Sequence, residues 1–285
     1  MGKKKYEAGP ALSPEALALP PTGVDSHAHL DMRHFGDDLG AVLDRAASSG
    51  VAAVGNVFLS VEAWEAGKDR FTDRPDGPRV FFLLGIHPTD ALRYSPAVRS
   101  GMIRAFGEDP RLRALGEIGL DFYWKDCPRE AQIPAFIDQL HLARALGLPV
   151  VIHSRDAFDE TVAILRDQGF FGYPLLWHCF GGNAEQAGIL VEAKWHVSIP
   201  GPVTFPANED LRAALAVIPP DRLLAETDCP YLAPMPYRGK RNEPAFAAFT
   251  VARMAEALGL PAAELWTRCG DNARAFFRLD GAAAG

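Results

Sequence analysis

Val150-Val151-Ile152-His153, an amphipathic segment over 156–168, and then Leu175-Leu176-Trp177-His178 form the stretch that decides the fold. Two apolar runs each end in a histidine, and a helix-length segment separates them. Strand, helix, strand in that order predicts two parallel strands of one sheet. The unit recurs on both sides. Runs near 22–26, 52–58, 80–86, 112–117, 148–153, 174–178, 195–199 and 223–228 read as eight strands. Helix-like stretches lie between them, such as Ala131 to Leu146, where Ile133, Phe136, Ile137, Leu140 and Ala143 recur with a 3–4 period. Eight such units predict an α/β fold, a (β/α)8 TIM barrel with its site at the C-terminal ends of the strands. A doubly wound open sheet is the alternative, and no Gly-rich phosphate loop supports it.

At 285 residues, 48% hydrophobic and 23% charged, the chain suits one domain with a sizeable core. The expected division is a flexible N-terminal arm over 1–21 and a barrel over 22–280, with a frayed tail at 281–285. The net charge of −7 argues against a broad nonspecific grip on nucleic acid but leaves room for a local basic pocket. Cys127, Cys179, Cys229 and Cys269 show no CxxC spacing and read as reduced thiols of a cytoplasmic protein. No apolar run approaches the roughly 18 residues of a membrane span, and Lys3, Lys4 and Lys5 precede a proline-broken stretch that makes a poor signal peptide. The chain is expected to be monomeric and free of membrane partners.

Other run ends carry the same kind of residue: His27 and His29 in Val24-Asp25-Ser26-His27-Ala28-His29, Glu117 after Leu115-Gly116, and Asp228 after Leu223-Leu224-Ala225-Glu226-Thr227. Residues two apart on a strand share a face, so His27 and His29 can aim at one ion, with Asp25 placed to support them. A carboxylate buried at Glu117 is costly unless paired or metal-bound, and its two oxygens can bridge two cations. His27, His29, Glu117 and Asp228 are the expected ligands of one divalent metal. Glu117, His153 and His178 are those of a second. Mixed nitrogen and oxygen donors admit Mg, Mn or Zn. His87, in Gly85-Ile86-His87-Pro88, is a candidate substrate contact. His34, His141 and His196 read as ordinary loop, helix and strand-start residues.

These residues sit in motifs that resemble the TatD family of metal-dependent deoxyribonucleases, within the amidohydrolase superfamily. The matching segments are Val24 to Asp31, Gly85 to Pro88, Gly116 to Asp121, Ile152 to Arg155, His178 to Gly182, Glu226-Thr227-Asp228-Cys229-Pro230-Tyr231-Leu232 and Arg238-Gly239-Lys240-Arg241-Asn242-Glu243-Pro244. They run in family order over about residues 22 to 278. The resemblance implies a (β/α)8 barrel, a two-metal hydrolase, and the metal roles argued above. The arm before residue 22, Ser198-Ile199-Pro200-Gly201 and Gly181-Gly182-Asn183 depart from the family pattern, which bears on substrate preference rather than on the metal site.

Two cations about 3.5–4 Å apart would activate water and clamp the oxygens of an in-line displacement. Asp228 is the expected general base, Glu117 the bridge, and Glu226 would orient a ligand or a water. Arg238 and Lys240, on the irregular region after the eighth strand, are expected to hold phosphate with Arg155. Phe122, Tyr123, Trp124 and Tyr231 suit either base stacking or loop packing. The expected substrate is single-stranded DNA, with RNA open, attacked from an end as by an exonuclease. The alternative is a hydrolase of a small ester, lactone or amide, or of an aminoacyl ester on tRNA.

Overall fold

Parallel pairing runs from strand to strand without a skip, in the order β1 to β8 of the sequence. The strands are β1 Gly23–Ala28, β2 Val51–Phe58, β3 Arg79–Leu84, β4 Leu112–Asp121, β5 Val150–Arg155, β6 Leu175–Trp177, β7 His196–Ile199 and β8 Leu223–Ala225. The helices are α1 Leu39–Ser48, α2 Val61–Gly67, α3 Pro96–Glu108, α4 Arg129–Leu146, α5 Phe158–Asp167, α6 Ala184–Glu192, α7 Glu209–Leu215, α8 Ala247–Leu258 and α9 Ala262–Phe277. This computed structural model describes residues 12–72 and 74–280. The ring of strands with outer helices is the expected (β/α)8 barrel.

The ring closes through a short β8–β1 seam. Ala28 bridges Cys229, the Asp228 N–H donates to the His27 carbonyl at 2.9 Å, and the His29 N–H donates to the Cys229 carbonyl at 2.8 Å. Below that bridge, the buried Asp25 carboxylate accepts from the Thr227 N–H at 2.9 Å and its hydroxyl at 2.6 Å. Asp25, expected beside the two rings, instead ties the first strand to the last.

Alternation along each strand sorts side chains into two cores. Val150 and Ile152 of β5, with Leu175 and Trp177 of β6, face outward into the large core under the helices. Val151, Leu176, Leu224 and Ala114 face inward and pack with Phe81, Phe276 and Phe277, so α9 seals the barrel floor. Two residues further along the same inner faces come His153, His178 and Glu226. In β4 a register shift between Leu115 and Ile118 adds a residue, which turns Glu117 inward after Ala114.

Two strand ends differ from expectation. β4 continues to Asp121, because Ile118 to Asp121 pair residue by residue with Ile152 to Arg155. Gly119 permits that approach: its φ is +145°, and a Cβ there would sit 1.9 Å from the His153 carbonyl oxygen. Glu117 therefore lies inside its strand rather than ending it. β8 stops at Ala225, and Asp228 takes a left-handed φ of 55° that no strand continues.

The arm expected over 1–21 lies outside the described residues up to residue 11. Its described part is anchored: Leu17 and Leu19 pack on the core, and the Pro20 carbonyl accepts from the Trp266 indole at 2.9 Å. The tail at 281–285 lies outside the described residues. No helix among the described residues is long and apolar enough to cross a membrane.

Candidate metal centre and its surroundings

Glu117 is the hub of the barrel mouth. Its Oε2 lies 2.7 Å from His178 Nε2, 3.3 Å from His153 Nδ1 and 3.8 Å from His27 Nε2. Its Oε1 lies 3.8 Å from His29 Nε2. Asp228 Oδ1 is 3.4 Å from His29 Nε2 and 3.9 Å from His27 Nε2. Strands far apart in sequence thus bring all six expected ligands to one point, with Glu117 touching both groups. Two subsets, His27–His29–Glu117 and Glu117–His153–His178, each converge ligand atoms within 4.8 Å.

Donor chemistry fits cations. Both ring nitrogens of His27, and Nδ1 of His29, are buried without a hydrogen-bond partner among the described residues. An orphaned buried polar atom is costly, and a cation satisfies several at once. Burial first, then the neighbouring His178, keeps His27 neutral, the form that binds metal. Burial opposes charge on His178 as well, yet Glu117 and Glu226 pull its pKa well above the ordinary value. Burial alone would raise the Glu117 carboxyl, but His178 and His153 hold it well below the usual range. Carboxylates that draw protons onto buried imidazoles are a cluster that calls for positive charge.

Outer partners orient these ligands. Glu226 is fully buried, accepts from the Ser198 hydroxyl, and lies 3.6 Å from His178 Nδ1. Sequence reasoning missed the role of Asp121. Its Oδ2 lies 3.0 Å from His153 Nε2, which leaves Nδ1 to face Glu117. Its Oδ1 accepts from the N–H groups of Tyr123 and Trp124, each at 3.0 Å. Gln132 of α4 grips the Asp121 backbone from both sides, accepting its N–H and donating to its carbonyl, each at 2.8 Å. The available signal was the spacing of Glu117 and Asp121, four apart on one strand face, hidden while the strand was taken to stop at Glu117.

A cavity of about 1260 Å³ opens above the cluster, lined among others by His29, Glu117, His153, His178, Asp228 and His87. Thr89 donates its N–H to His87 Nδ1 at 3.2 Å, so the neutral ring carries its proton on Nε2. Burial, opposed by Glu117, lowers the His87 pKa to about 4. Arg155 lines the same cavity. Arg238 and Lys240 do not: the Arg238 guanidinium lies 4.4 Å from the Phe205 ring, and both residues are exposed. Gly239 between them takes φ +84° with nothing within 4 Å of a Cβ position. The residues that follow brace the loop. Arg241 grips Asp38 with two bonds at 2.8 and 2.7 Å, Glu243 accepts two from Arg45, and buried Asn242 donates to the Thr227 and Tyr231 carbonyls. Among the remaining histidines, His34 lies in a short turn, His141 on α4 bonds Gln168, and His196 starts β7.

Comparison with known proteins agrees with this geometry. The family model described as TatD related DNase matches residues 24–278. The chain is 32% identical over 256 residues to the uncharacterized metal-dependent hydrolase YabD of Bacillus subtilis, covering 90% of this chain and 99% of the relative. It is 34% identical over 260 residues to a protein of Pantoea vagans named 3′-5′ ssDNA/RNA exonuclease TatD, covering 90% and 99%. The crystal structure of YjjV, a TatD homologue from Escherichia coli K12, superposes with a TM-score of 0.82 at 28% identity, covering 90% and 98%. The barrel, its mouth and these matches together make the chain a member of the TatD family of metal-dependent hydrolases.

Proposed function

We propose that this chain hydrolyses phosphodiester bonds of single-stranded DNA or RNA, working from a strand end, with two divalent cations of the Mg, Mn or Zn class. The observation that carries the reading is Glu117, whose two oxygens face His29 on one side and His27, His153 and His178 on the other. His27, His29, Glu117 and Asp228 would hold one cation, and Glu117, His153 and His178 the second. When bound, the cations lower the pKa of water and offset charge on the phosphoryl oxygens.

Asp228 accepts the proton of the attacking water on its carboxylate, the general-base role. Asp121 keeps His153 Nδ1 turned toward Glu117, and Glu226, beside His178 Nδ1, keeps His178 Nε2 turned toward the same carboxylate. His87, with its proton on Nε2, offers a neutral N–H to a phosphate oxygen, and Arg155 offers a guanidinium. Arg238 and Lys240, outside the cavity lining, are assigned to phosphates further along the strand. Relatives named as 3′-5′ exonucleases on single-stranded DNA and RNA support the substrate and the polarity.

The test uses single strands labelled at the 5′ or the 3′ end, with a divalent-metal series and an EDTA control. Stepwise shortening from the 3′ end that stops on metal removal is the expected result. Cleavage that survives complete chelation overturns the reading. Hydrolysis of a neutral ester with no action on any phosphodiester moves the chemistry to carbon.

A further inference from the structure

The mouth carries an exposed aromatic platform whose parts the tertiary structure sorts into packing and binding. Four aromatic residues stand at least 40% exposed among the described residues: Tyr123, Trp124, Phe171 and Tyr231. Trp124 and Tyr231 line the cavity above the metal cluster. Tyr123 does not line it, and the Arg155 guanidinium lies 3.8 Å from its ring centroid. Phe122 is likewise used, with Arg129 at 4.6 Å over its ring. Of the two exposed rings that line the cavity, the Trp124 indole is the one beside Arg155: it is 52% exposed, set edge-on to Tyr123 at 5.1 Å, and the Arg155 guanidinium, closer to Tyr123, lies 5.9 Å from its ring centroid.

The platform is rigidly tied to the reacting centre. One carboxylate, Asp121, holds both: Oδ1 caps the loop that carries Tyr123 and Trp124, and Oδ2 holds His153. The Phe122 N–H donates to the Arg155 carbonyl at 2.9 Å, which pins the loop to the end of β5. Charge is distributed unevenly here. Arg129 on the same wall pairs with Glu160, whereas no carboxylate pairs with Arg155 among the described residues. A guanidinium with no paired carboxylate among the described residues, beside a half-exposed indole at the lip of the candidate metal site, matches one nucleotide unit: phosphate on the cation, base on the ring.

We infer that Trp124 and Arg155 form a nucleotide subsite that stacks the unpaired base next to the scissile phosphate and holds that base's own phosphate. This rests on the nuclease reading and adds its substrate selection. A base inside a duplex keeps its faces against its neighbours, so a stacking site of this kind favours single strands or frayed ends.

The experiment compares a single-stranded oligonucleotide with the same oligonucleotide carrying abasic sites at the terminal positions. For the wild type, the abasic strand is expected to show a KM about tenfold higher, the size of one lost base–aromatic stack. Trp124→Ala should raise KM on the normal strand to the abasic value and leave the abasic strand unchanged, and Trp124→Phe should restore most of it. Arg155→Gln should raise KM on both. Equal wild-type KM values for the two strands overturn the subsite while the nuclease reading stands, as does an equal effect of Trp124→Ala on both. A wild-type chain inert toward every phosphodiester overturns both readings together.

Discussion

The floor and the mouth of this barrel are built on the same strand faces, two residues apart, and they obey opposite rules. At the floor, Val151, Leu176 and Leu224 meet Phe81, Phe276 and Phe277 in a dry cluster. At the mouth, His153, His178 and Glu226 follow them, and His178 Nδ1 and Glu226 Oε1 lack hydrogen-bond partners among the described residues. Apolar burial at the floor is favourable by itself, at roughly 25 cal/mol per Å² of buried apolar surface. Polar burial at the mouth is unfavourable until a cation satisfies it. The lower layer therefore serves stability and the upper layer is suited to binding, although one alternating pattern builds both.

Substitutions can separate the two layers. The largest effect is expected at Glu117. Glu117→Gln preserves volume but removes the charge that both ligand groups share, and kcat/KM should fall on the order of 10³-fold or more, beyond the cost of an outer partner. Steady-state kinetics with metal analysis checks this, and near-normal turnover breaks the proposed bridge. Next comes the floor. Phe277→Ala opens a cavity against Phe81, whose ring lies 4.7 Å away, and should cost about 3–5 kcal/mol in urea unfolding. The folded fraction should keep its metal affinity; a matching loss of affinity would dissolve the distinction between the layers.

A smaller effect is expected where the mouth meets its supports. Asp121→Asn loosens both His153 and the Trp124 loop, and metal titration should show affinity reduced by about 10–100-fold. The smallest effect lies at the floor edge, where His196 packs 5.2 Å from Phe276. Burial first, then Arg222, lowers its pKa from 6.5 to about 4. A histidine kept neutral in the folded chain contributes stability above pH 6.5 that is lost as pH falls toward 4, because the unfolded chain takes up the proton first. Urea midpoints of wild type and His196→Gln should therefore diverge below pH 6.5; parallel curves across that range remove His196 from the acid response.

Reading the chain alone reached far on the floor and unevenly at the mouth. Strand runs such as 148–153 and 174–178 were legible because an inner and an outer core together leave few polar positions in a parallel strand. The six candidate ligands were legible because charged and imidazole groups at the ends of such runs have no packing explanation. Asp121 was not, since its role depends on β4 extending past Glu117 to pair with β5. Arg238 and Lys240 are the phosphate contacts the sequence suggests, while Arg241, Asn242 and Glu243 next to them hold Asp38, the β8 exit and Arg45. A basic cluster looks the same in sequence whether its partners are phosphates or carboxylates some 200 residues away.

Hydrophobic periodicity, run length and the chemistry of run ends are local properties, so the sequence by itself determined the barrel, the family and the candidate ligand side chains. Which residue supports which ligand, which aromatic ring lines the cavity and which rings an arginine covers depend on neighbours that only strand register and ring closure bring together. The tertiary structure alone decided those, because hydrogen bonding, stacking and charge pairing act over a few ångströms of space and not along the chain.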